Sequence, residues 1–129
     1  MIKEIMAFDE TNVAVFNTNL LRSVAVRLGV EAHVLRASEL PTTPGSVGQD
    51  RVIEICNHLG ATHYINPIGG RQLYRAGVFS DHGLSLSFLE TTIEPRLEKH
   101  PYLSIIHTLM TESDTAISDL LTRYRIIPG

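Results

Sequence analysis

With a single cysteine, Cys56, the chain has no means of forming an intrachain disulfide, so an oxidising compartment is not implied. Long apolar runs are missing as well. None approaches the ~18 residues that a membrane span needs, and residues 1–8 lack the apolar core of a signal peptide. A soluble, cytoplasmic protein is the expectation. Clustered basic charge is absent too: the net charge is -3, and the eleven Lys and Arg residues are scattered. Phosphate neutralisation needs such clusters, so no nucleic-acid partner is expected. What is present is globular: 43% apolar and 19% charged residues over 129 positions suit one domain with one core, residues 1–129.

Along the chain, residues 1–8 are a short apolar lead-in, read as an edge strand or the remnant of a connection. Asp9 and Thr11 are N-cap types for a helix running to about Leu28. Val13, Phe16, Leu20, Val24 and Leu28 lie on one helical face, and Gly29 supplies its left-handed stop. Residues 32–36 read as a first strand, followed by a Pro/Thr/Gly loop. Ser46 and Gln49 have capping-box spacing before a helix that aligns Val52, Ile55, Cys56 and Leu59, with Gly60 as its stop. Residues 62–66 are a second strand.

A third strand covers residues 84–89. Apolar residues alternate with serine over Leu84 to Phe88, which predicts burial on one face near a sheet edge. Glu90 to His100 reads as a loop. Pro101 opens a helix carrying Leu103, Ile106, Leu109 and Met110, and Asp114 caps a last helix with Ile117, Leu120, Leu121 and Tyr124. The same punctuation, a helical end followed by glycine and a strand, occurs at Leu28-Gly29, Leu59-Gly60 and His82-Gly83. The pattern predicts an α/β fold: a small parallel sheet of three or four strands, flanking helices and a helical C-terminus.

In open α/β sheets ligands bind beyond the carboxyl ends of the strands. Gly69 and Gly70 fall there, after the second strand, with Arg71 and Arg75 adding charge and Tyr74 in reach of a ligand. Their backbone N–H groups suit a phosphate or carboxylate; the competing explanation is a turn that needs positive φ. Neither Gly-x-Gly-x-x-Gly nor a Gly-Lys-Ser/Thr ending is present, so no nucleotide fingerprint is met. Ser38 and Glu39 follow the first strand and would share that edge, with Glu39 either a base or hydroxyl ligand or simply an exposed loop carboxylate. Cys56, His58 and His63 do not converge by spacing, so no metal is expected and Cys56 reads as a buried thiol. Ser104 and His107 sit three apart, but no orienting carboxylate or oxyanion hole accompanies them, and a surface histidine beside a capping serine is the simpler reading.

Several ordered motifs resemble the C-terminal part of the WbqC-like family, whose members are encoded in bacterial O-antigen and surface-polysaccharide clusters. They are Arg51-Val52-Ile53-Glu54-Ile55-Cys56, Leu59-Gly60-Ala61-Thr62-His63-Tyr64-Ile65 and Gly69-Gly70-Arg71-Gln72-Leu73-Tyr74. Phe79-Ser80-Asp81-His82-Gly83-Leu84-Ser85-Leu86-Ser87-Phe88 and Pro101-Tyr102-Leu103-Ser104-Ile105-Ile106 complete the set. The similarity runs from about Asn12 to Ile127. His107 stands where the family commonly has Asp, and Asn66-Pro67 where Ser-Gly is usual.

The resemblance implies a role in surface-polysaccharide biosynthesis, with an activated or nucleotide-linked sugar, or an acyl or aminoacyl donor for transfer, bound around Ser38, Glu39, Gly69, Gly70, Arg71 and Tyr74. No cofactor is expected. The alternative is a non-catalytic binding or assembly module, a homo-oligomer or a chain lacking the family's N-terminal segment rich in Gln, Pro, Tyr and Phe.

Overall fold

The computed structural model describes residues 2–93 and 103–129. The chain divides into two compact units, Met1–Pro41 and Thr42–Gly129.

In the first unit, residues 2–6 form helix α1 (Ile2–Met6) in place of the expected edge strand or connection. Helix α2 (Val13–Arg27) is capped by Asn12, one residue beyond Thr11 and three beyond Asp9, the expected caps. Asn12 Oδ1 accepts the N–H groups of Ala14 and Val15 at 2.9 and 3.3 Å, so the short amide side chain satisfies two donors left open at the helix start. The expected strand at residues 32–36 does not form. That stretch has no strand partner among the described residues, and apolar, β-branched composition makes a strand only where a second backbone completes the ladder. A 3-10 turn, Ala37–Glu39, follows.

The second unit opens with α3 (Gly48–His58), which turns Ile53 and Cys56 into the core. Its N-cap is Val47, with no side-chain hydrogen bond, so the expected Ser46/Gln49 capping box is not made. Gln49 instead accepts the backbone N–H of Arg75 at 3.2 Å, at the start of α4 (Ala76–Asp81). Strand β1 (His63–Pro67) pairs in parallel with β2 (Ser85–Thr91), which pairs antiparallel with β3 (Tyr124–Pro128), in the order β1-β2-β3.

The fold is therefore α/β, with a three-stranded mixed sheet and packed helices. Strand β2 is central rather than near an edge. Flanked on both sides, it buries Leu86, Ser87 and Phe88 in succession. It also takes in Glu90 and Thr91, expected in a loop.

The three glycine stops are built alike. Gly29, Gly60 and Gly83 have φ of +68°, +65° and +72°. After each, the next residue's N–H reaches back five residues, Val30 to Ala25, Ala61 to Cys56 and Leu84 to Phe79, at 2.9, 2.9 and 3.0 Å. Each is a Schellman cap, which needs a left-handed residue that glycine enters without steric cost. The second and third caps aim the chain at β1 and β2.

The core of this unit gathers Ile53, Cys56, Phe79, Leu84, Leu86 and Phe88, with Phe79 and Phe88 almost wholly enclosed. Burying each phenylalanine contributes about 1.5–3 kcal/mol. Beyond β2 come α5 (Ile105–Thr111) and α6 (Asp114–Leu120). Pro101, the expected helix opener, lies outside the described residues. Ser113, one residue before the expected Asp114, caps α6. The final helix is present, but it ends at Leu120, and Tyr124 belongs to β3, whose Tyr-Arg-Ile-Ile sequence favours a strand once β2 offers it a ladder.

Candidate functional site

The glycines expected to form a ligand loop are in a 3-10 turn, Ile68–Leu73, directly after β1. Neither Gly69 nor Gly70 has positive φ, so the need for a left-handed turn does not explain them. The two differ in surroundings. Gly69 is exposed, and a Cβ there would meet nothing within 4 Å. At Gly70 a Cβ would collide with the amide nitrogen of Asn66, and Tyr74 lies just beyond. Gly70 therefore keeps space for a neighbouring side chain.

That side chain is held from two sides. Tyr64 donates to Asn66 Oδ1 at 3.0 Å, while Asn66 Nδ2 donates to the carbonyl of Pro67 at 3.1 Å. The Tyr74 hydroxyl stands 3.4 Å from that of Tyr64. The Tyr64 ring stacks on Phe79 at 5.5 Å, and Tyr74 meets both rings edge-on at 5.5 and 5.9 Å. Burial first, then the hydrogen bond with Tyr74, pushes the Tyr64 phenol well above its usual range, so it stays neutral and donates. Tyr74 is half-buried in this trio, its hydroxyl turned toward Tyr64. Arg71 is exposed on the same turn and makes no ion pair with a described residue.

Ser38 and Glu39 lie in the first unit, on the turn Ala37–Glu39, not after a strand. Both are exposed. The Arg36 guanidinium donates to Glu39 and holds its carboxyl below the usual range, with Arg22 adding to the effect. Glu39 also lines a cleft of about 370 Å³ with Phe8, Val15, Thr18, Asn19, Arg22 and Arg36. Sequence reasoning missed Arg22 and Arg36. The three-residue step from Arg36 to Glu39 was a visible signal; the approach of α2 to that turn was not.

A model of the WbqC-like protein family matches residues 1–119 of the chain. The chain belongs to that family. No curated protein and no solved structure gives a significant match. The match spans all six candidate residues of this WbqC-like chain, four in the second unit and two in the first.

Of the other residues weighed from the sequence of this WbqC-like chain, Ser104 and His63 have structural partners. Ser104 caps α5, its hydroxyl accepting the Ile106 N–H at 3.3 Å, while His107 is exposed in the first turn. His63 Nε2 is 2.8 Å from the hydroxyl of Ser87 on the neighbouring strand. Cys56 is buried, and burial pushes its thiol pKa up. Among the described residues no three His, Cys, Asp or Glu side chains gather as a metal site. No described helix is long and apolar enough to cross a membrane.

Proposed function

We propose that this WbqC-like chain serves bacterial surface-polysaccharide biosynthesis by binding an activated sugar, or an acyl or aminoacyl donor, for transfer. In this reading Gly69, Gly70, Arg71 and Tyr74 contact the donor in the second unit, while Ser38 and Glu39 are a separate candidate set within the first. The observation that carries it is the turn after β1. It follows the carboxyl end of a parallel strand, Gly69 leaves the backbone open to a ligand, and Arg71 offers a guanidinium with no ion pair among the described residues. Tyr74 borders the same turn and is anchored by two aromatic neighbours.

A thermal-shift panel tests it: nucleotide sugars, free nucleotides, acyl-coenzyme A and amino acids such as glycine, each against the whole chain. A ligand at a hundred times its dissociation constant adds about 2.7 kcal/mol, which is several degrees for a domain of this size. A shift with one class identifies the donor. Silence across the panel contradicts the reading.

The second reading is a non-catalytic assembly module. Ile65, Leu89 and Ile126 lie on one face of the sheet by strand register, and each stays more than a third exposed. On this reading a second copy covers that face, and light scattering returns twice the monomer mass.

A further inference from the structure

We infer that the cleft lined by Phe8, Val15, Thr18, Asn19, Arg22, Arg36 and Glu39 is an oxyanion site, in which a carboxylate or phosphate displaces Glu39 from Arg36. The inference deepens the small-molecule reading, on which it rests for the kind of ligand, by naming the charged group that ligand carries.

Two guanidiniums line this cleft, Arg22 from α2 and Arg36 from the start of the 37–39 turn. Arg22 is fixed in place by one bond, from its terminal nitrogen to the Val34 carbonyl at 2.8 Å. A guanidinium carries five donors, so this anchor leaves others for a ligand. Arg36 gives a terminal nitrogen to Glu39, a carboxylate on the same short turn. Glu39 thus occupies Arg36 much as an incoming carboxylate or phosphate would.

The exchange costs little. Ion pairs between side chains this open to water contribute little net stability, because water screens them and both chains lose freedom. An external oxyanion placed between Arg22 and Arg36 meets two planar forks in place of one, and bidentate contacts of this type are among the stronger hydrogen bonds. Glu10 also acts electrostatically on Arg36, but its carboxylate is held by the Asn12 N–H at 2.8 Å, at the start of α2.

The rest of the lining suits the body of such a ligand. Asn19 brings an amide with both donor and acceptor, and the Thr18 hydroxyl, which donates to Ala14 at 2.7 Å, keeps acceptor capacity. Phe8 and Val15 supply apolar wall. Glu39, once released, turns from competitor into an acceptor for hydroxyl or amine groups next to the oxyanion. The volume of about 370 Å³ is that of a small metabolite site.

The test uses the whole isotopically labelled chain, titrated with inorganic phosphate and separately with acetate, at matched ionic strength. The expected result is saturable amide shifts at residues 18–22 and 36–39 with at least one of the two ions; the tighter one names the source of the oxyanion. Arg36→Gln weakens binding by about tenfold, the loss of one charge-assisted contact. Glu39→Gln tightens it severalfold by removing the rival carboxylate. Opposite signs from neighbouring substitutions exclude a general loss of folding as the cause. Shifts that never saturate, or a Glu39→Gln variant that binds either ion more weakly, overturn the inference. If phosphate and acetate both fail while a donor from the thermal-shift panel binds, the oxyanion site is wrong and the donor reading stands. If an ion binds here while the whole panel is silent, the reverse holds.

Discussion

Gly69 and Gly70 are adjacent and chemically identical, yet their surroundings assign them different tasks. Gly69→Ala places a methyl group in open space at an ordinary φ, and stability is expected to stay within about 0.5 kcal/mol. Gly70→Ala drives a methyl group into the Asn66 amide and disturbs its bond from Tyr64, so a loss of about 1–3 kcal/mol is expected. Urea unfolding of the two variants checks the contrast; equal losses would show that the Asn66 contact does not explain Gly70. The same cluster sets an alkaline limit. Tyr64 ionises far above its ordinary value of 10.0 in the fold, whereas in the unfolded chain it ionises at about that value. Its contribution is complete below pH 10 and declines as pH rises through the folded value, because only the unfolded state gains by releasing the proton. Stability measured from pH 8 to 11 is expected to fall, and to fall less steeply in Tyr64→Phe.

At the level of elements, the helix stops were legible because they are local. A glycine after Leu28, Leu59 or His82 needs only its own turn to form a Schellman cap, and all three form. Gly83→Ala forces a side chain into left-handed backbone and is expected to cost about 1–2 kcal/mol. Gly77→Ala, at the second residue of α4 with open space around it, is expected to gain about 0.4–1 kcal/mol. Thermal unfolding of the pair reads both signs, and a gain at Gly83 would contradict the cap. Strands were legible only where a partner exists. β1 and β2 fall within a residue or two of their expected positions, since each finds the other. Residues 32–36, centred on Val34 and Leu35, have no strand neighbour among the described residues, while Tyr124, the first residue of β3, completed an apparent helical face and belongs instead to the β2 ladder.

The whole molecule was recognisable before its site was. Ordered motifs carried the family assignment, which the match over residues 1–119 bears out. The site depends on distances that sequence spacing does not encode. Asn66 over Gly70, and Arg22 beside the Arg36–Glu39 pair, come from packing between elements. Ser38 and Glu39 belong to one compact unit and Gly69, Gly70, Arg71 and Tyr74 to the other, so the proposed contacts form two groups, each testable alone. Arg71 is the sharper probe of the second group, because it is exposed and its removal leaves the core untouched. The most direct measurement is calorimetric titration of the whole chain with whichever nucleotide sugar or acyl-coenzyme A gives the largest thermal shift, repeated on Arg71→Gln. The expected result is saturable binding that weakens about tenfold or more in the variant while its melting temperature holds. Undiminished affinity in Arg71→Gln would contradict a donor site at the turn after β1.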